Sequence, residues 1–166
     1  MSDSKQRNPL GGGRRKAREF ALLGVYESLI DPAADYAAID ANLLSVITDA
    51  GEPVAGCDLT PEDFEHCDKS FYREILEGVI AEREEIEVLL QRHLDRDPAR
   101  LSVIEHACLM IGTWELKHRI DNPYRVVINE AVELSKQFGS DKGYRLVNGV
   151  LDKVAGDVRP DEVKVA

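Results

Sequence analysis

The stretch Asp97-Pro-Ala-Arg-Leu-Ser-Val-Ile-Glu-His-Ala-Cys-Leu-Met-Ile-Gly-Thr-Trp-Glu-Leu-Lys-His118 decides the fold class. Leu101, Ile104, Cys108, Ile111 and Leu116 recur at helical spacing, and apolar side chains run nearly all the way round the wheel. A helix with no polar face is buried on every side. The pattern therefore predicts a central helix from Asp97-Pro98 to about His118, surrounded by other helices.

The flanking sequence supplies those neighbours. Upstream, Thr60-Pro61-Glu62-Asp63 reads as a helix start: a capping threonine, proline at the first helical position, and acids that complement the dipole. Phe64, Phe71, Tyr72, Ile75 and Val79 follow on its inner face, and a helical pattern continues through 81–94 with Ile86, Leu89 and Leu90 apolar. Downstream, Asn122-Pro123 opens a helix with Val127, Ala131, Leu134 and Phe138 inward, closed by Gly139. Ser140 or Asp141 is expected to cap a last helix to Ala155, ended by Gly156. Near the N-terminus, Ala17, Ala21, Gly24, Val25 and Leu29 mark a helix from Arg14 to Ile30, stopped by Asp31-Pro32. A second runs over about 34–50 with Ile39, Leu43, Val46 and Ile47 as its stripe, before a loop at Gly51, Pro53 and Gly56. No segment alternates with period two between hairpin turns. The reading is all-α, with six or seven helices in a single domain over 14–156. Residues 1–13 read as a flexible basic tail and 157–166 as a loose C-terminal tail.

Composition narrows the function. The chain has 166 residues, 43% hydrophobic and 31% charged, with a formal net charge of −10 from 31 acids and 21 bases. That suits one globular domain and argues against a protein that coats nucleic acid over its whole surface. No apolar run approaches the roughly 20 residues of a membrane span, and the N-terminus lacks an apolar signal core. A cytoplasmic protein with no membrane contact is the expectation. Cys57, Cys67 and Cys108 are odd in number and form no CxxC pair, which fits reduced thiols. His66 beside Cys67 is an incomplete metal set, so no metal is expected.

Catalytic signals are missing. The chain contains no GxGxxG, GxxxxGK[ST], HExxH or GxSxG. His66, His93, His106 and His118 are scattered, and the run Glu82, Glu84, Glu85, Glu87 reads as a solvated helix face. No cofactor and no enzymatic activity are expected.

Charge placement is more informative. Residues 1–18 hold Lys5, Arg7, Arg14, Arg15, Lys16 and Arg18 against Asp3 alone, a charge of +5, so the remainder carries −15. Arg14, Arg15 and Arg18 fall within about 100° on a helical wheel, while Lys16 projects elsewhere. Guanidinium groups bridge phosphates and stack on bases, so this end is a candidate anion or RNA contact. Tyr26 lies eight residues beyond Arg18 and is either a stacking ring or core. Lys142 and Arg145, with Lys136 just before the turn, add positive charge at the start of the last helix, where backbone amides also favour an anion. The plainer reading of all these cations is a solvated surface, or pairing with the acidic body.

Three segments carry a resemblance: Gly13-Arg-Arg-Lys-Ala-Arg-Glu-Phe-Ala-Leu-Leu-Gly-Val-Tyr26, Asn122-Pro-Tyr-Arg-Val-Val-Ile-Asn-Glu-Ala-Val-Glu-Leu-Ser-Lys-Gln-Phe-Gly139 and Leu146-Val-Asn-Gly-Val-Leu-Asp-Lys153. Together they resemble the NusB family of bacterial transcription antitermination factors, and Ile111-Gly-Thr-Trp-Glu-Leu116 looks like its central helix. The match covers about residues 13–30 and 100–156 and is poor over 35–95. The resemblance implies two packed helical subdomains forming one globular unit. It implies binding of the boxA element of nascent ribosomal RNA transcripts, as a heterodimer with the ribosomal protein NusE, within an elongation complex that includes other Nus factors. It also implies no catalysis. By the match, Arg14 and Arg15 correspond to RNA-contacting arginines, with Lys16 and Arg18 extending the motif and Tyr26 matching a first-helix tyrosine. Glu105 and His106 fall where the partner-facing central helix begins, and Lys142 and Leu146 near partner and RNA. Lys142 stands where some members carry an acid. Asn148 and Gly149 are read structurally, the glycine permitting close helix packing and the asparagine bonding backbone. Two other readings stay open. One is a protein-binding or self-associating scaffold, including a homodimer. The other is the helical RNA-binding part of a ribosomal-RNA methyltransferase.

Overall fold

The computed structural model describes residues 12–50, 59–95, 97 and 100–165. Among these the fold is all-α, with nine helices and no strand. They are α1 (Gly12–Ile30), α2 (Tyr36–Ala50), α3 (Pro61–His66), α4 (Lys69–Ala81), α5 (Arg83–Gln91), α6 (Val103–His118), α7 (Tyr124–Phe138), α8 (Gly143–Val158) and α9 (Pro160–Val165). The chain divides into two compact units, Met1–Glu77 and Gly78–Ala166, the division falling within α4.

In the first unit α1 packs against α2 and α3. Ala17, Phe20, Ala21, Leu22 and Val25 of α1 are fully buried, and Ile39, Leu43 and Ile47 form the inner stripe of α2. Val46, expected in that stripe, is 41% exposed. Leu29 and Phe64 are half-buried. An edge-to-face aromatic chain runs from Phe20 to Phe64 (5.0 Å between centroids) and on to Tyr72 (5.4 Å). The Tyr72 hydroxyl donates to Asp40 at 2.6 Å, and burial, with that acid, pushes the phenol far up. Gly24 is needed here, because a Cβ would run into the Leu76 side chain.

Thr60 caps α3 as its sequence foretells. Its Oγ1 accepts from the Asp63 N–H at 3.1 Å, and the Asp63 carboxylate accepts from the Thr60 N–H at 3.1 Å. The helix expected to continue from there stops instead at His66. Asp68 caps a new start, its carboxylate accepting from the Phe71 N–H at 3.0 Å while its own N–H donates to the Gly13 carbonyl at 3.0 Å. A second break at Glu82 separates α4 from α5. These breaks, together with α9, raise the count above six or seven.

In the second unit α6, α7 and α8 pack on one another, α5 lies against α6, and α9 against α8. Helix α6 is the central one: every residue from Ala107 to Leu116 is buried. It begins at Val103 rather than Asp97, because Ser102 is the cap, accepting from the Glu105 N–H at 3.1 Å. Gly112 lets it approach α8, since a Cβ would overlap Leu151, and Gly78 faces the Trp114 indole in the same way. Gly139 closes α7 as expected, with Phe138 half-buried.

The C-terminal end departs from the loose tail expected there. Helix α8 runs through Gly156 to Val158, and Arg159 turns inward, only 5% exposed. Its guanidinium donates to the carbonyls of Leu116 (2.8 Å), Arg119 (2.8 Å), Glu115 (3.2 Å) and Asn122 (2.6 Å). The Glu115, Leu116 and Arg119 carbonyls lie at the end of α6 and that of Asn122 before α7; Glu115 and Arg119 also accept backbone N–H groups, at 2.8 and 3.0 Å, so the guanidinium adds a second donor there. Glu162 of α9 completes the arrangement, pairing with Arg159 at 3.0 Å and accepting from the Tyr124 N–H at the start of α7 at 2.8 Å. One buried cation thus caps one helix, and its anionic partner caps the next.

Candidate nucleic-acid interface

The basic cluster of α1 separates into outward and inward members. Arg15 is exposed, and Arg14 and Lys16 are half-buried. Lys16 lies 3.6 Å from Glu19. Arg18 is 5% exposed. Arg14 and Arg18 are one turn apart and both lie over the Phe71 ring, at 5.1 and 5.0 Å from its centroid. This corrects the picture of Arg18 as an outward contact: its head is enclosed where it stacks on a core aromatic. Arg14 and Arg18 thus both pack on Phe71 of α4, and Arg15 is the member of the cluster that is exposed. No acid occupies the first turn of α1, so the positive pole of a 19-residue helix and the basic side chains act in the same sense. Tyr26 is half-buried farther along α1.

The second unit carries another basic site at the α7–α8 corner. Lys142 and Arg145 are exposed, and Lys142 is the residue before α8, with no side-chain cap of its own. Between them sits Tyr144, a residue the sequence reading passed over. The Lys136 ammonium lies 4.9 Å and the Arg145 guanidinium 5.9 Å from its ring centroid. Hydrogen bonding and charge from Arg145 hold the phenol below its usual range. The signal was present as an aromatic between two cations, but only the fold brings Lys136 to the same ring.

Glu105 and His106 are engaged internally. Glu105 is 8% exposed. Its carboxylate accepts from the Ser140 hydroxyl at 2.8 Å and occupies the space a Cβ at Gly143 would need. A buried carboxylate here sits at the amide-rich start of α8 and fixes the corner. His106 Nε2 lies 2.7 Å from Glu87 and joins α5 to α6. Leu146 is half-buried on α8. Gly149 corrects the packing expectation: it is exposed, like Asn148 beside it, and a Cβ there would meet nothing within 4 Å.

The histidines and cysteines fall elsewhere. His93 lies 2.7 Å from Asp157, and His118 2.6 Å from Glu82, which Lys117 also reaches at 2.7 Å. Cys67 and Cys108 are both buried, and burial pushes their thiols up to about 11 and about 12. Cys57 lies outside the described residues. Among the described residues no three His, Cys, Asp or Glu side chains are grouped to hold a metal ion, and no helix is long and apolar enough to cross a membrane.

An all-helical protein with this order of elements has solved counterparts. The NusB of T. maritima superimposes with a TM-score of 0.67 at 24% identity, over 92% of this chain and 97% of that one. A chain from a crystal structure of the antitermination factors NusB and NusE in complex with dsRNA superimposes with a TM-score of 0.65 at 21% identity, over 87% and 96%. These likenesses define the fold class. Sequence comparison goes further. The chain matches the NusB family over residues 15–156. It is 44% identical to the transcription antitermination protein NusB of Bordetella pertussis over 156 residues, 92% of each protein. It is 41% identical to that of Methylobacillus flagellatus over 162 residues, 97% of this chain and 95% of the relative. The chain belongs to the NusB family, a family of transcription antitermination factors.

Proposed function

We propose that this protein binds the boxA element of nascent ribosomal RNA transcripts as a heterodimer with NusE, and so suppresses premature termination in the bacterial cytoplasm. It acts as a member of an elongation complex with other Nus factors, without catalysis of its own. The observation that carries the reading is the basic first part of α1. Arg14, Arg15 and Lys16 follow one another in a helix whose own first turn contains no acid, on a chain that is otherwise strongly acidic. Family membership supports it, as does the likeness to a chain solved with NusE and dsRNA.

In this reading Arg14, Arg15 and Lys16 hold phosphates, and Arg18 positions them from its seat on Phe71. Lys142 and Arg145 supply a further basic contact from the second unit, with Leu146 beside them on the partner side. Tyr26 lies along the RNA-facing side of α1. The partner docks against acidic helical surface, and complementary charge speeds its encounter. Glu105 serves the partner indirectly, by fixing the corner that presents Lys142. His106, held by Glu87, does the same for the start of α6.

The test is a fluorescence-anisotropy titration of boxA RNA and a scrambled RNA, with and without NusE. Binding should favour boxA and tighten with NusE. Arg14→Ala with Arg15→Ala should weaken it about 10–100-fold, by analogy with charge-assisted contacts of about 1.5–3 kcal/mol, while thermal melting shows a folded protein at a slightly lower midpoint, because Arg14 also stacks on Phe71. Equal binding of both RNAs, indifferent to NusE, would reject the proposal in favour of a protein-binding scaffold.

A further inference from the structure

The two basic clusters differ in the ring beneath the cations. At α1 that ring is Phe71, 2% exposed, with no face left for a ligand. At the α7–α8 corner it is Tyr144, which is half-exposed and stands outside the core face of α8 formed by Val147, Val150, Leu151 and Val154. The fold gains little from this ring.

The corner that carries it is nonetheless rigid. The Gly139 N–H donates to the Ser135 carbonyl at 2.8 Å, the Gly143 N–H to the Ser140 carbonyl at 3.3 Å, and Glu105 locks Ser140 and Gly143 from below. Lys136 and Arg145 lie within cation–π reach of the ring. Lys136 pairs with Glu133 at 3.7 Å between side chains about half exposed, an interaction weak enough to be exchanged for a phosphate. A half-exposed aromatic on a fixed turn, flanked by cations, is how proteins hold single-stranded nucleic acid: the ring stacks a base and the cations take the adjoining phosphates.

We infer that Tyr144 is a base-stacking residue of the RNA site, with Lys136 and Arg145 engaging the phosphates on either side of the stacked nucleotide. The inference rests on the RNA-binding reading above. It adds to it a contact made through a base, in the second unit, by a residue that carries no charge.

Charge and stacking separate experimentally. The full chain, with NusE, is titrated with labelled boxA RNA at several salt concentrations, and folding is checked by thermal melting. Tyr144→Ala should weaken binding about tenfold and leave the salt slope unchanged, and Tyr144→Phe should bind like the parent. Lys136→Ala should lower the slope by about 0.7. In RNAs with a single abasic position scanned along boxA, one position should make Tyr144→Ala silent, because base and ring are lost together. If Tyr144→Ala binds like the parent, or Tyr144→Phe loses as much as Tyr144→Ala, the stacking assignment is overturned while the proposed function stands. If the parent protein binds no RNA even with NusE, both fall.

Discussion

Arg159 shows how much a single side chain contributes to this fold. A guanidinium can donate five hydrogen bonds, and here it serves four carbonyls and one carboxylate. Arg159→Ala would take this donor from the Leu116 and Asn122 carbonyls and the second donor from those of Glu115 and Arg119, and should cost about 3 kcal/mol in urea unfolding. A loss under about 0.5 kcal/mol, the range of ordinary surface changes, would mean that water replaces the guanidinium fully. Its neighbour Glu162 gives a pH signature. The Tyr124 N–H, then Arg159, hold its carboxyl below the usual carboxylate range. Its contribution is therefore present above the unfolded-state pKa of about 4.3 and is lost as pH falls through the lower folded value. Glu162→Gln should melt at a lower temperature than the parent near pH 7, and the two curves should converge in acid. Parallel curves from pH 7 to pH 2 would show that Glu162 is not linked to stability. Arg159 escaped the sequence reading because an arginine after a helix-ending glycine looks like surface, and its carbonyl acceptors are more than 35 residues away.

At the scale of elements, local signals were legible and long-range ones were not. The Thr60 cap and the Gly139 stop are written within four residues of chain, and both were recognised. The break at Asp68 is encoded partly by its own cap on Phe71 and partly by a carbonyl in the first turn of α1, and the second half is in no local pattern. Gly149 shows the opposite error. Its place in a dense motif suggested tight packing, yet the helix leaves it bare. Gly149→Ala should therefore raise stability by about 0.5–1 kcal/mol, because alanine is the better helix former and the added methyl meets nothing. A destabilised Gly149→Ala protein would show that some neighbour closes over this face. Thr60→Ala should cost about 1 kcal/mol through loss of the capping box.

For the whole molecule the governing quantity is the separation of charge. A chain of net charge −10 repels RNA at long range, so the proposed function requires contact to be concentrated at the basic start of α1 and the α7–α8 corner. If about four phosphates are neutralised, log K against log salt should fall with a slope near −3 for a single strand. A slope near zero would remove the electrostatic basis of the proposed function. The sequence alone located the cationic residues of both clusters. It did not distinguish the enclosed Arg18 from the exposed Arg15, because burial of a charge is decided by Phe71 in a distant helix.

The arginine at the end of α8 also sets an order of events during synthesis. Leu116 and the side chain that binds its carbonyl are 43 residues apart in the chain. At about 5–20 residues per second, the last turn of the central helix emerges some 2–9 s before its cap has been made. During that interval the buried central helix has an unfinished end, and translation speed over those codons bears on whether it waits in water or finds the wrong neighbour.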